Sequence, residues 1–277
     1  RLPEVIAASG ARLVEVGTTN KTYSRDYARA VGPETGLLML SHTSNYRIIG
    51  FTAEVAREEL AALGRENGIP TMEDLGSGLL VDLAPFGIPP EPTVQASIAA
   101  GLDLVAVSGD KLMGGSQCGI LVGRSAIVDR LKQNPLLRAL RQDKLAIAAL
   151  EATLKLYLQP ERLTETLPLF AMLAKTPAVL QREAEALAKR LSGIQGLTIA
   201  IVPGRSSVGG GTLPGVELDT CLVALRSALS ADELARRLRT GEPAVVARIA
   251  DDALLLDPRT LLDGDVERLA RALEKAL

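Results

Sequence analysis

The chain holds one histidine, His42, and two cysteines, Cys118 and Cys221, which lie far apart and in no CxxC or Cys/His pattern. This poverty disfavours a zinc centre or a disulfide framework, and both thiols are expected to be reduced core groups. A single histidine with no GxSxG near any serine disfavours serine hydrolysis as well. Excess positive charge is also missing: 31 basic against 33 acidic residues give a net charge of −2. A broad nucleic-acid-binding face is therefore not expected, leaving only a local patch or a further segment for that role. Apolar runs such as Gly36 to Leu40 and Leu145 to Leu158 are short or broken by charge, below the roughly 20 residues of a membrane helix. No secretory leader is visible, and the chain opens Arg1-Leu-Pro-Glu without Met, so its start is expected to be a truncation. Neither an internal repeat nor a low-complexity segment is present.

What remains is a 277-residue chain, 47% hydrophobic and 23% charged, able to bury a substantial core as one large domain or two modest ones. Strand-like runs alternate with helical patterns. Arg12 to Val16 precedes a helix near Ser24 to Val31; Gly36 to Ser41 precedes a helix around Thr52 to Asn67; Ile69 to Met72 precedes a Pro-rich connector and a helix near Thr93 to Ala100. Leu102 to Val107 and Cys118 to Val122 follow. This order predicts an α/β fold, a mostly parallel sheet with helices on both faces. Beyond Gly123 the character changes. Ser125 to Leu158 reads as helical with a break at Asn134-Pro135, and Pro177 to Leu191 as a further helix. Then come a strand over Leu197 to Val202, a Gly-rich loop from Gly204 to Gly215, a strand over Cys221 to Arg226 and a helix from Ser230. Two short strands within Ala244 to Leu256 and a closing helix over Asp263 to Leu277 end the chain. The expected division is a large domain over 1–159 and a smaller α+β domain over 160–277.

Ser108-Gly-Asp-Lys-Leu-Met-Gly-Gly115 places Lys111 just past an apolar strand, among glycines. Desolvation there favours a neutral amine able to attack an aldehyde. Such a loop is commonly a plain surface turn, but Glu73-Asp74-Leu-Gly-Ser-Gly78 closes the preceding strand and adds a carboxylate. Pyridoxal phosphate needs both groups: a lysine for its aldehyde and an acid to keep the pyridine nitrogen protonated. Asp74 and Lys111 suit these roles, and with His42 to Arg47 they follow strands whose carboxyl ends form one crevice.

Val14-Glu-Val-Gly-Thr-Thr-Asn20, His42-Thr-Ser-Asn-Tyr-Arg-Ile48, Asp74-Leu-Gly-Ser-Gly78, the Ser108–Gly115 loop, Asn134-Pro135 with Arg138 and Arg141-Gln-Asp-Lys-Leu145, and Val208-Gly-Gly-Gly-Thr-Leu-Pro214 together resemble bacterial selenocysteine synthases, the L-seryl-tRNA(Sec) selenium transferases. The ordered set runs over nearly the whole chain. The resemblance implies a fold-type-I pyridoxal-phosphate enzyme that converts seryl-tRNA(Sec) to selenocysteinyl-tRNA(Sec) through an aminoacrylyl intermediate, with selenophosphate as donor. It gives Lys111 the cofactor and the α-proton, Asp74 the pyridinium nitrogen, Ser108 the cofactor phosphate and Asn45 the phenolic oxygen. Arg138 and Arg141 match a pair of arginines aimed at the anionic selenium donor, although arginines spaced i and i+3 on a helix commonly form a solvated face.

The resemblance further implies a cytoplasmic homo-oligomer, at least a dimer and up to a decameric ring. Family members carry an N-terminal region with a tRNA-contacting domain and a phosphate-binding loop, which this sequence lacks. Two other readings stay open: a pyridoxal enzyme such as a lyase or aldolase-like protein acting on a free amino acid, with Arg248 or Arg259 clamping the substrate carboxylate, and a scaffold without catalysis. His42 and Arg47 have equally plain structural roles at a strand end. The Gly209–Gly211 run reads as an ordinary connection rather than a phosphate cradle.

Overall fold

The computed structural model describes residues 2–209 and 211–277. The chain forms two compact units, one running to Tyr157 and taking in residues 211–214, the other comprising 158–209 and 215–277.

In the first unit, α1 (Leu2–Ala8) and α2 (Ser24–Ala30) lead into β1 (Leu38–Ser41), α3 (Arg57–Asn67), β2 (Thr71–Gly76), α4 (Val94–Ala99), β3 (Leu104–Ser108) and β4 (Gly119–Gly123). The helices α5 (Ser125–Lys132), α6 (Leu137–Leu140) and α7 (Lys144–Leu156) follow. The sheet order is β1-β2-β3-β4, with the first three strands parallel and β4 antiparallel to β3. Register sets Ser41 opposite Asp74 and Asp74 opposite Ala106, so three strands end together at their carboxyl side. Burial drives this arrangement. Leu38, Val55, Leu60, Ala61 and Leu102 form one apolar cluster; Leu75, Val94, Val105, Val107 and Met113 form another, against which Leu150 packs. Each fully buried leucine or valine contributes on the order of 1.5–3 kcal/mol. Local signals frame the helices: Thr93 Oγ1 accepts from the Ala96 N–H at the start of α4, and Gly68 at φ 65° ends α3.

The second unit holds α8 (Leu163–Thr166), α9 (Pro168–Ala174), α10 (Pro177–Leu191), β5 (Thr198–Ser207), β6 (Glu217–Arg226), α11 (Ala231–Thr240), β7 (Arg248–Ala250), β8 (Ala253–Leu256) and α12 (Asp265–Ala276). Its antiparallel sheet, ordered β5-β6-β8-β7, packs on helices through Leu187, Leu191, Val223, Leu225, Leu234, Leu254 and Leu273. In α10 the buried Leu180, Ala184, Leu187 and Leu191 recur at helical spacing, and Thr176 with Pro177 starts the helix.

The expected α/β class is borne out, with several local corrections. Residues 12–16 form no strand. Leu13 is 40% and Val14 53% exposed, so the apolar run has neither a neighbouring strand nor a buried face. The third helix begins at Arg57 rather than Thr52, because Ala53 exchanges backbone hydrogen bonds with Asn20 and Thr22. A second break separates α6 from α7, where Asp143 caps α7 by accepting from the Leu145 and Ala146 N–H groups. Residues 204–207, expected as loop, extend β5: Gly204 pairs with Thr220 and leaves space that the Leu222 side chain occupies. The short α1, α8 and α9 carry no clear sequence signal.

Candidate active site

The carboxyl ends of β1, β2 and β3 supply the candidate residues. The His42 N–H donates to the Asp74 carbonyl at 2.9 Å, tying the exit of β1 to β2. The two segments around Lys111 are held by close backbone contacts. The Leu112 N–H donates to the Ser77 carbonyl at 3.0 Å, and the Gly114 N–H to the Lys111 carbonyl at 2.9 Å. Gly109 and Gly115 close the loop, with the Gly109 N–H donating to Cys118 and the Gly115 N–H to Gly109. From α7, the Tyr157 hydroxyl donates to the Met113 carbonyl at 2.8 Å, and burial raises its phenol pKa.

Lys111 is partly buried, and its amine faces the exit of β2. A β-carbon on Gly76, which sits at φ +69°, would lie 3.6 Å from Lys111 Nζ and 3.2 Å from Ser44 Oγ. The loop after β1, the end of β2 and the lysine therefore meet at one point. Asp74 belongs to the same place. Burial raises its carboxyl pKa, the Lys111 charge lowers it, and Glu73 raises it further. Glu73 is itself fully buried and paired to Arg57, whose Nε donates at 2.8 Å.

Of the sequence-expected residues, Lys111 and Asp74 are thus brought together. Ser108 ends β3, partly buried, with its carbonyl against Gly78. Asn45 follows Ser44 and is exposed. Arg138 stands exposed on α6 and Arg141 exposed just beyond it, and neither side chain makes a hydrogen bond or ion pair among the described residues. Arg47 is exposed as well. Gly210, within the Gly209–Gly211 run, lies outside the described residues.

Arg259 cannot serve as a free carboxylate clamp. It is buried at 5% exposure, and its guanidinium donates to the carbonyls of Met172, Lys175 and Asp219 and to Ser206 Oγ. It pins the second unit together. Arg248 donates to the Arg205 carbonyl at 2.9 Å and lies 3.7 Å from Asp257.

Sequence reasoning missed Glu91. Its carboxylate lies 3.7 Å from His42 Nε2, and both side chains are largely buried. Burial raises the Glu91 pKa, while His42 and Arg57 lower it. Only its place in the Pro-rich connector, between Pro90 and Pro92, marks it in the sequence. Ser44 and Gly211 lie within motifs noted in the sequence, but no spacing marks either as a neighbour of Lys111.

The site fits a planar, anionic aldehyde cofactor. An amine and a carboxylate stand together, glycine backbones at Gly76 and Gly78 keep the strand exit bare of side chains, and His42 Nδ1 and Ser77 Oγ are buried with no hydrogen-bond partner among the described residues.

Known proteins match this chain over its whole length. A family model for L-seryl-tRNA selenium transferase matches residues 1–262. The L-seryl-tRNA(Sec) selenium transferase of Moorella thermoacetica is 53% identical over 280 residues, covering 100% of this chain and 60% of that protein. The one from Solidesulfovibrio magneticus is 51% identical over 283 residues with the same coverage. The chain thus spans about 60% of the length of these curated relatives. Among solved structures, a D-glucosaminate-6-phosphate ammonia-lyase aligns with a TM-score of 0.61 at 22% identity, covering 99% of this chain and 67% of that one, a likeness of fold. Matched by the family model over most of its length and by relatives at half identity or better, this chain belongs to the L-seryl-tRNA selenium transferase family.

Proposed function

We propose that the protein carrying this chain is a pyridoxal-phosphate-dependent transferase that converts seryl-tRNA(Sec) to selenocysteinyl-tRNA(Sec) with selenophosphate as the selenium donor. Family membership supports the reaction, and one arrangement supports the site: a β-carbon on Gly76, two residues past Asp74 at the end of β2, would lie 3.6 Å from Lys111 Nζ, so the amine reaches the strand end that bears the carboxylate. When bound, the cofactor would supply an electrophilic aldehyde and an electron-accepting ring.

The chain's own residues divide the remaining work. Lys111 would hold the cofactor through its ε-amine and, when free, would take the substrate's α-proton and return it. Asp74 holds a proton on the pyridine nitrogen, since an adjacent anion favours the cationic ring. Ser108 would hold the cofactor phosphate and Asn45 the phenolic oxygen. Arg138 and Arg141 present free guanidinium forks suited to a phosphate-like donor. In this reading the protein works in the cytoplasm as a homo-oligomer, at least a dimer and up to a decamer. Among the described residues no helix is long and apolar enough to cross a membrane. An aminoacyl ester has no free carboxylate, and the occupation of Arg259 by backbone carbonyls argues against a free-amino-acid enzyme that would use it as a clamp.

The test is a protein of the relatives' full length carrying this chain, incubated with pyridoxal phosphate, seryl-tRNA(Sec) and selenophosphate. Selenium entering the aminoacyl-tRNA only when all three are present supports the proposal. Consumption of free serine with no transfer to tRNA would sink it.

A further inference from the structure

The segment 211–214 lies far beyond the first unit in sequence but folds within it. Gly211 adopts φ +86°, and a β-carbon there would lie 3.3 Å from Lys111 Cε and 3.4 Å from Lys111 Nζ. The residues after it are anchored: Thr212 is 8% and Leu213 3% exposed, and Leu213 holds φ 46°, a conformation rare for a leucine. An ordinary flexible connection would neither bury these side chains nor hold such a backbone angle. Gly76, also in the left-handed region, approaches the same amine: a β-carbon there would lie 3.6 Å from Nζ. The end of the Lys111 side chain therefore lies near two glycine backbones drawn from distant parts of the sequence.

We propose that Gly211 is a positioning residue for Lys111: its bare backbone forms one wall of the lysine's pocket, fixes the direction of the ε-amine, and leaves the space in which an aldehyde reaches that amine. The inference rests on the reading of Lys111 as the cofactor lysine. It assigns Gly211 a role that the composition of its surroundings alone does not suggest. A methyl group at 211 would press on Lys111 Cε, which must give by a few tenths of an ångström and carry the amine with it, and would strain the backbone, since L side chains rarely adopt this φ.

Two measurements on a protein of the relatives' full length carrying this chain test it. In the first, pyridoxal phosphate is added, borohydride reduces the adduct, and mass spectrometry follows its attachment to Lys111. Gly211→Ala is expected to slow attachment about tenfold, as small misplacements of a reacting group do. Gly209→Ala, where an added β-carbon meets nothing within 4 Å, is expected to match the native rate. Gly211→Asn separates crowding from backbone strain and serves if the alanine variant does not fold. Asparagine tolerates the left-handed region but keeps a β-carbon, so it should remain slow. Native attachment rates in the folded Gly211 variants would overturn the proposal.

The second is a stability cycle by urea unfolding with Gly211→Ala or Gly211→Asn, Lys111→Ala, and the corresponding double variant. The Gly211 substitution should lower the midpoint less when Lys111 is already shortened; an equal loss in both backgrounds would overturn the contact. If the native chain takes up no label at Lys111, the cofactor reading fails, while this cycle still judges the wall.

Discussion

A β-carbon on Gly78 would lie 2.3 Å from the carbonyl oxygen of Ser108, so the exit of β2 and the exit of β3 touch backbone to backbone. Gly87 has the same φ of +71° but meets nothing within 4 Å. The pair separates steric exclusion from backbone strain. Gly87→Ala should cost about 1–2 kcal/mol. Gly78→Ala should cost about 2–5 kcal/mol, because overpacking adds about 1–3 kcal/mol and the obstacle is backbone that cannot swing aside. Urea unfolding of the two variants checks the difference, and equal losses would refute the close approach.

Asp74 carries a pH prediction. Its pKa is raised in the fold by burial, against the opposing pull of Lys111. A carboxyl group raised in this way contributes stability that is fully present below its unfolded pKa and is lost as pH rises through its folded value. Asp74→Asn should therefore leave the cofactor-free chain at least as stable at pH 7 and flatten its stability profile through the acid range. The same variant should weaken pyridoxal phosphate binding by about tenfold or more, since the ring nitrogen loses its anion. Thermal melts across pH and cofactor titration read the two effects independently.

Beneath the site, buried Glu73 depends on Arg57 for charge compensation. Arg57→Ala should cost about 3–5 kcal/mol, the usual result of stranding a buried charge. Adding Glu73→Gln should recover part of that loss. If the single and double variants unfold at the same urea concentration, the pair does not act as described.

Arg259 makes the opposite kind of prediction. Arg259→Ala leaves the Met172, Lys175 and Asp219 carbonyls without their donor, at about 1–3 kcal/mol for each group left unsatisfied. Arg259→Lys should rescue little, because an ammonium cannot reproduce the planar fork. A carboxylate clamp would instead show weaker amino-acid binding with unchanged stability.

Arg138→Ala and Arg141→Ala change side chains with no partner among the described residues, so their unfolding free energies should stay within about 0.5 kcal/mol of native. Their proposed role predicts a rise of about tenfold or more in KM for selenophosphate, with seryl-tRNA binding unchanged. Steady-state kinetics on the full-length protein decide this.

The strands around Lys111 were legible because their apolar runs end in glycine and polar residues, the pattern of a buried parallel strand meeting a ligand-facing loop. The run from 12 to 16, with Leu13, Val14 and Val16 beside charged Arg12 and Glu15, reads as a strand yet forms none, since composition cannot reveal whether a neighbouring strand exists. Gly204 was read as a loop residue, yet it lies within β5 because Leu222 fills the space beside it. Glu91 was invisible for a related reason. Its relation to His42 arises from where a proline-rich connector happens to pass, and no spacing in the chain encodes that. The Gly211 contact was equally hidden, because a glycine offers no side-chain chemistry to read.

The chain crosses between its two compact units at Tyr157, returns for residues 211–214, and leaves again. No single proteolytic cut or cloning boundary can yield both pieces whole. A fragment ending at Tyr157 would retain the lysine-bearing sheet while discarding the stretch that lies against the amine, so dissecting this molecule requires a circular rearrangement or two cuts with a graft.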